Sequence, residues 1–227
     1  MSKQILIVLG ILLIFGCADV SKEDQFQTGC SGDSESTPEN VYVAPAPTPA
    51  PTVTYWTKQF GTSSSDRGRG ITSDSNGNIY VTGYTMGGLD GNTNTTGFEL
   101  FVVKYNSSGV KQWTRQLGSS NAHDFARDIA FDSNNNFYVI GTTSGGLDGN
   151  TNTGGSDLFV VKYNSSGIKQ WTRQLGTSAD DYGASITFGS SDYFYVTGYT
   201  SGSLDGNTSA GGEDVFIVKY DTDGNRQ

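Results

Sequence analysis

The sequence is short of the groups on which most catalytic and metal chemistry depends. Of its 227 residues one is histidine, His123, and two are cysteine, Cys17 and Cys30, and neither cysteine lies in the repetitive part of the chain. That part therefore cannot assemble a zinc cluster or a Cys/His nucleophilic pair. Cationic side chains are scarce too: 14 Lys and Arg stand against 23 Asp and Glu, a formal charge of −9. A phosphate-neutralising surface is missing, and nucleic acid is excluded as a partner. All five prolines fall between Pro38 and Pro51, and none lies in the repeats. The longest apolar run, Ile5 to Phe15, falls well short of the ~20 residues that span a bilayer.

That run follows Lys3 and ends in Gly16-Cys17, which is the layout of an export signal and not of a fold element. Ile14-Phe15-Gly16-Cys17 resembles a bacterial lipobox, with Phe15 in place of the usual small or β-branched residue. The resemblance implies cleavage before Cys17, a lipid on that cysteine, and a bilayer as partner of an exported, envelope-anchored protein. An ordinary signal peptide with an incidental cysteine is the alternative. Once Cys17 carries lipid, Cys30 is alone and no internal disulfide can staple a core. Residues 17–52 then read as a tether, with SKEDQ and SGDSESTPEN leading into APAPTPAPT. Alternating Ala-Pro favours polyproline II, a semi-rigid spacer of ~3.1 Å per residue. The expected organisation is signal peptide 1–16, tether 17–52 and a repeat domain 53–227.

What the sequence has in plenty is glycine, 31 residues, with 12 Tyr and 12 Phe, the composition of many short strands joined by tight turns. Its order is periodic. Trp56, Trp113 and Trp171 are separated by 57 and 58 residues, Gly83, Gly141 and Gly198 by 58 and 57, and LDGNT occurs at Leu89, Leu147 and Leu204. In the first unit four strand-like runs can be read, GITSDS from Gly70, NIYVTGYT from Asn78, ELFVVKYN from Glu99 and VKQWTRQLG from Val110. The links SNGN and NSSG suit hairpins. The second and third runs are apolar on both faces, as in a sheet packed between two others. Four antiparallel strands buried on both faces describe a propeller blade, so the expected fold is an all-β propeller of three repeats.

The segments DSNGNIYVTGYT at Asp74 to Thr85 and FVVKYNSSGVKQW at Phe101 to Trp113 resemble the SBBP β-propeller repeat family. This resemblance covers the chain after the tether, and implies a bacterial exported protein of a commonly multi-bladed kind, with no catalytic residues to carry over. An orphan fourth strand, TYWTKQFG from Thr54, opens the domain and the third unit stops at Gln227, so the count is twelve strands, or three blades. Propellers typically close with 4 to 8 blades. A shortened gene is the first expectation, and two copies forming a six-bladed ring is the other.

Antiparallel order gathers both long connections of every blade on one face, and binding is expected there. The loops contribute three equivalent carboxylates, Asp66, Asp124 and Asp181, read either as a catalytic group or as caps on the loop entering the first strand. His123 occurs in one repeat only and reads as a solvated loop residue. In LDGNTN, Asp90, Asn92, Asn94 and Glu99 are spaced as alternate oxygen ligands, as are Asp148, Asn150, Asn152 and Asp157, and then Asp205, Asn207 and Asp214. Ca²⁺ takes six to eight such oxygens and is the one cofactor the sequence points to, but Asp-Gly and Asn-Thr are also what an ordered turn selects. The expectation is a non-catalytic binding module for a protein or glycan ligand, with a glycan-acting hydrolase or lyase using the loop carboxylates as the alternative.

Overall fold

The chain divides into two units, Met1–Pro51 and Thr52–Gln227. The computed structural model describes residues 55–189 and 193–227; the segments expected to be a signal peptide, 1–16, and a tether, 17–52, with Cys17, lie outside the described residues. Eleven strands fall into three antiparallel sheets. The first blade is β1 (Asp66–Ser73), β2 (Ile79–Thr85), β3 (Glu99–Tyr105) and β4 (Lys111–Leu117). The second is β5 (Asp124–Phe131), β6 (Phe137–Thr143), β7 (Asp157–Tyr163) and β8 (Lys169–Leu175). The third is β9 (Asp181–Phe188), β10 (Tyr193–Thr200) and β11 (Asp214–Asp221). Within each blade strands pair in chain order, and the first strands β1, β5 and β9 of successive blades lie against one another. The all-β propeller architecture read from the repeats is the one observed.

Hairpin chemistry explains the meander. At one end of the blades an Asp or Asn turns the chain by accepting two backbone N–H groups on one oxygen: Asp74 takes those of Asn76 and Asn78, and Asn106 those of Ser108 and Val110. Asp132, Asn164 and Asp221 repeat the pattern. Such turns need only a short polar side chain and no packing.

Packing comes from both faces of each sheet. In the middle blade every residue of β6 is buried. Tyr80, Leu100 and Val102 of the first blade close over Ile129, Phe137, Val139 and Phe159 of the second. One step on, Tyr138, Leu158 and Val160 close in the same way over Ile186, Phe194, Val196 and Phe216 of the third. Tyr80 meets the edge of Phe131 at 4.8 Å between centroids, and Tyr138 meets Phe188 at 4.8 Å, the T-shaped geometry aromatic pairs favour.

Two expectations shift. The first strand of a blade starts at Asp66 and not at Gly70, because β1 and β2 stay paired across a bulge that interrupts the alternation a sequence reading follows. Tyr55–Phe60 is not a strand among the described residues, since no sheet edge runs beside it. Its side chains nevertheless pack on the face of the first blade as those of β4 pack on the second. Trp56 stacks on Tyr105 at 6.3 Å and Phe60 meets the edge of Phe101 at 5.9 Å. Among the described residues the count is therefore eleven strands, with an isolated bridge from Tyr220 to Arg226 beside β11.

Gly83, Gly141 and Gly198 recur for a steric reason. Each faces the bulge in the first strand, and a Cβ there would run into the carbonyl oxygen of Arg67, Phe125 or Tyr182. At Gly141 it would also lie 2.6 Å from the Phe159 ring. Gly141→Ala should therefore lower the unfolding free energy by about 2 to 3 kcal/mol or more, the upper range for forcing an extra carbon into a packed core. Urea denaturation measures this, and a change below about 0.5 kcal/mol, the usual effect at an unconstrained surface site, would remove the steric explanation.

Candidate binding site

The LDG segments each form a single 3-10 turn, Leu89–Gly91, Leu147–Gly149 and Leu204–Gly206, pinned by a buried leucine. The aspartate in each is left-handed, at φ 51, 55 and 54, a conformation Asp and Asn tolerate better than other side chains. Asn92, Asn150 and Asn207 close the turn by donating from Nδ2 to the leucine carbonyl at 2.6, 2.8 and 3.0 Å. Asp90 pairs with Lys111 and accepts from Thr114, Asp148 pairs with Lys169 and accepts from Thr172, and Asp205 pairs with Arg226. Lys111, then Thr114, hold the Asp90 carboxyl below its ordinary value against the opposing effect of burial.

The remaining ligand candidates also meet partners within their own blade. Glu99 accepts from the Thr95 N–H at 2.6 Å and from Gln116 at 2.7 Å, and Asp157 accepts from Thr153 and Gln174, both at 2.9 Å. Asp214 accepts from Ser209 at 2.8 Å and Ala210 at 2.9 Å. Asn94 and Asn152 donate to the carbonyls of Gly97 and Gly155. Among the described residues no three His, Cys, Asp or Glu side chains gather. Each carboxylate fastens a loop to its own sheet, and the structure does not bring the three copies together.

Asp66, Asp124 and Asp181 act as latches between the incoming loop and the end of the second strand. Asp66 accepts the Thr62 N–H and the Thr85 hydroxyl. Asp124 accepts the Ser119 N–H and hydroxyl, with Thr143 behind, and Asp181 accepts the Thr177 N–H and the Thr200 hydroxyl. Asp124 and Asp181 are 0% exposed, so neither can touch a molecule outside the chain. Burial pushes the Asp124 carboxyl up, and its bonds from Thr143 and Ser119 only partly offset that. His123 is exposed and its Nδ1 accepts the Phe98 N–H at 3.1 Å, which turns the ring toward Phe98 and Phe125.

A cationic and aromatic cleft was not anticipated. In β1 the residue left over by the bulge is Arg69, in β5 it is Arg127, and in β9 it is Ala184. Bulges re-aim a side chain, and here two arginines and a small residue line one cleft of about 320 Å³ with Tyr182, Gly183 and Tyr199. Arg69 donates to the Tyr84 hydroxyl at 2.7 Å and lies over that ring, Arg127 lies over Phe125, and Tyr182 stacks on Tyr199 at 4.8 Å. Burial raises the Tyr84 phenol, but the guanidinium groups of Arg69 and Arg67 together outweigh it and hold the group below its ordinary value. The lining offers N–H and O–H donors and ring faces and no carboxylate, a surface for an anionic group. The signal was in the sequence: Arg69, Arg127 and Ala184 keep the 58 and 57 step of the repeat, but a strand read from Gly70 leaves the first one out.

The family model described as "Beta-propeller repeat" (SBBP) matches three times, at residues 56–90, 112–148 and 170–205. Regulatory protein FlaEY of Caulobacter vibrioides is 30% identical over 169 residues, covering 66% of this chain and 18% of the relative. An uncharacterized WD repeat-containing protein of Acanthamoeba polyphaga mimivirus is 26% identical over 202 residues, covering 72% of this chain and 14% of the relative. The chain thus spans less than a fifth of the length of either relative.

Two outcomes follow from the loop chemistry. Asp148→Ala, which removes the partner of Lys169 and Thr172, should cost about 1 to 2 kcal/mol of stability, and the melting temperature of the unsubstituted protein should not respond to Ca²⁺; a calcium-dependent rise that Asp148→Ala abolishes would assign the ion to the loop. Asp124 has a folded pKa above the ordinary 3.8, so it stabilises the fold fully below that value and the contribution is lost as pH rises through the elevated one. Relative to the unsubstituted protein, neutral Asp124→Asn should therefore gain stability between about pH 4 and about pH 7. Urea unfolding of both proteins at the two pH values reads the difference, and a gap independent of pH would uncouple Asp124 ionisation from folding.

Proposed function

With three matched repeats supporting the SBBP β-propeller family, we propose that this chain is a non-catalytic binding module, exported and lipid-anchored through Cys17, which holds a carboxylate-bearing ligand at the Arg69–Arg127 cleft. The observation that carries the reading is the division of labour among charged groups. The recurrent carboxylates that could serve an enzyme are bound up in loop latches, two of them with no exposed surface, while two arginines of a chain of charge −9 are aimed into one aromatic cleft. Guanidinium suits this role, since its planar fork matches a carboxylate in two-point contact. The ring faces of Tyr182 and Tyr199 add apolar contact beside it. A relative named a regulatory protein is compatible with an interaction role, and the name is that protein's own.

Purified protein tested against immobilised polyuronates, acidic peptides and neutral dextran should retain a carboxylate-bearing member and not the dextran, more weakly as salt rises from about 0.05 to about 0.5 M. Arg69→Gln with Arg127→Gln should weaken that binding about tenfold or more, as expected for losing charge-assisted bonds, while the far-ultraviolet circular dichroism stays that of the unsubstituted protein. Undiminished binding by the double variant would sink the cleft assignment. Labelled palmitate should enter the full chain in a bacterial host and be lost in Cys17→Ala; label retained by the variant would rule out the anchor.

A further inference from the structure

Building on a carboxylate ligand at the Arg69–Arg127 cleft, we propose that the junction between the second and third blades seats a hydroxylated ring carrying one carboxylate, a hexuronate residue. It holds that ring as the ring of Tyr84 is held between the first and second blades.

The first junction displays an occupied seat. Tyr84 is 5% exposed, and Arg69 lies over its ring at 5.3 Å and donates to its hydroxyl at 2.7 Å. Phe125 of the second blade meets the same ring at 4.8 Å and Phe98 at 5.3 Å, both T-shaped. His123 tilts against Phe98 at 5.5 Å and Phe125 at 5.8 Å. A ring with an oxygen at its tip is thus gripped by a guanidinium on one side and by aromatic rings on the other, arrangements that charge and quadrupole favour.

The second junction repeats the grip without the ring. The repeat step of 58 or 57 residues carries Arg69 to Arg127, Tyr84 to Thr142 and Phe125 to Tyr182. Arg127 and Tyr182 line the cleft of about 320 Å³. Thr142 keeps the backbone place of Tyr84, pairing with Phe125 and Leu158 as Tyr84 pairs with Arg67 and Leu100. Its side chain stops where a tyrosine ring would begin. The Thr142 hydroxyl is buried and has no hydrogen-bond partner among the described residues, a condition native proteins rarely leave unmet. Arg127, with no phenol to donate to, lies over Phe125 of its own blade at 5.8 Å. A ligand ring bearing an anionic oxygen would give Arg127 the acceptor that Tyr84 gives Arg69.

Two further replacements select the kind of ring. The same step carries Phe98 to Ser156, which is half-buried, and His123 to Asp180. A hydroxyl and a carboxylate therefore stand where the first seat has aromatic walls. Both accept hydrogen bonds from ring hydroxyls, which a pyranose has and a benzene ring lacks. Asp180 also places like charge beside the seat, which disfavours a second anionic group. One carboxylate against the Arg127 fork, with the ring on the face of Tyr182, satisfies all of these groups.

Ligand-observed magnetic resonance titration of the full chain should show binding of methyl galacturonoside. Methyl galactoside, benzoate and N-acetylglutamate should each bind about tenfold or more weakly, the scale of one charge-assisted hydrogen bond. Thr142→Tyr, which fills the seat with the protein's own ring, should abolish galacturonoside binding with the far-ultraviolet circular dichroism unchanged. Tyr182→Ala should weaken binding about tenfold, the loss of one ring contact with its apolar area, and decides the matter alone if Thr142→Tyr does not fold. Undiminished binding by either folded variant would overturn the seat. Benzoate binding as tightly as the galacturonoside would replace the sugar by an aromatic acid and overturn the hexuronate. Equal binding of N-acetylglutamate, weakened like the galacturonoside by Arg127→Gln, would overturn the ring seat while the carboxylate cleft stands. Binding of none of these acids would overturn both.

Discussion

A four-stranded sheet that is apolar on both faces cannot be stable alone, and everything else in this molecule depends on that constraint. Tyr80, Leu100 and Val102 are buried only because the second blade closes over them with Ile129, Phe137, Val139 and Phe159. Because the same side chains recur at a step of 57 or 58 residues, each blade offers its neighbour the surface it itself requires, and packing propagates along the chain as nearest-neighbour contacts. Among the described residues the equivalent positions that no neighbouring blade covers are Ile71 on the first blade and Val215 and Ile217 on the third.

The loops on the opposite end from the tight turns are held by charge. In the first two blades LDG turns are fastened to the fourth strand through Asp90 and Lys111 and through Asp148 and Lys169, and in the third Asp205 pairs with Arg226 beyond β11. The loops entering the first strand are fastened by Asp66, Asp124 and Asp181 to Thr85, Thr143 and Thr200. Recurrence of an acidic motif is therefore explained by a need to satisfy loop N–H groups and hydroxyls that would otherwise be left without partners. Acidic residues dominate the composition, yet the charged side chains that line the cleft are Arg69 and Arg127, which the bulges place there.

Much of the fold was legible because its signals are local. Strand boundaries follow Asp and Asn turns that hydrogen-bond their own backbone, and the apolar character of β2, β3, β6 and β7 on both faces announces a sheet with neighbours on each side. Less of the site was legible. Asp90 and Glu99 have the element types and spacing of cation ligands, and the same spacing serves equally to reach Lys111 and Gln116, which lie on another strand and are not adjacent in sequence. Arg69 was overlooked because a bulge adds one residue to a strand and breaks the period of two from which strands are read. Tyr55–Phe60 carries a fourth-strand sequence but takes no strand hydrogen bonds, since a strand is defined by the edge beside it and not by its own residues.

The sequence by itself determined the repeat, the antiparallel order within each blade and the gathering of long loops on one face, because these depend on turns and on periodicity that operate within a few residues. Only the tertiary structure decided which carboxylates are bound up in latches, which two arginines share a cleft, and which apolar faces are left exposed. The latches join residues 4 to 24 positions apart, and the cleft and the covered faces join residues about one repeat apart, where side-chain direction is set by bulges and by the packing of one blade on the next; neither is written into any local pattern.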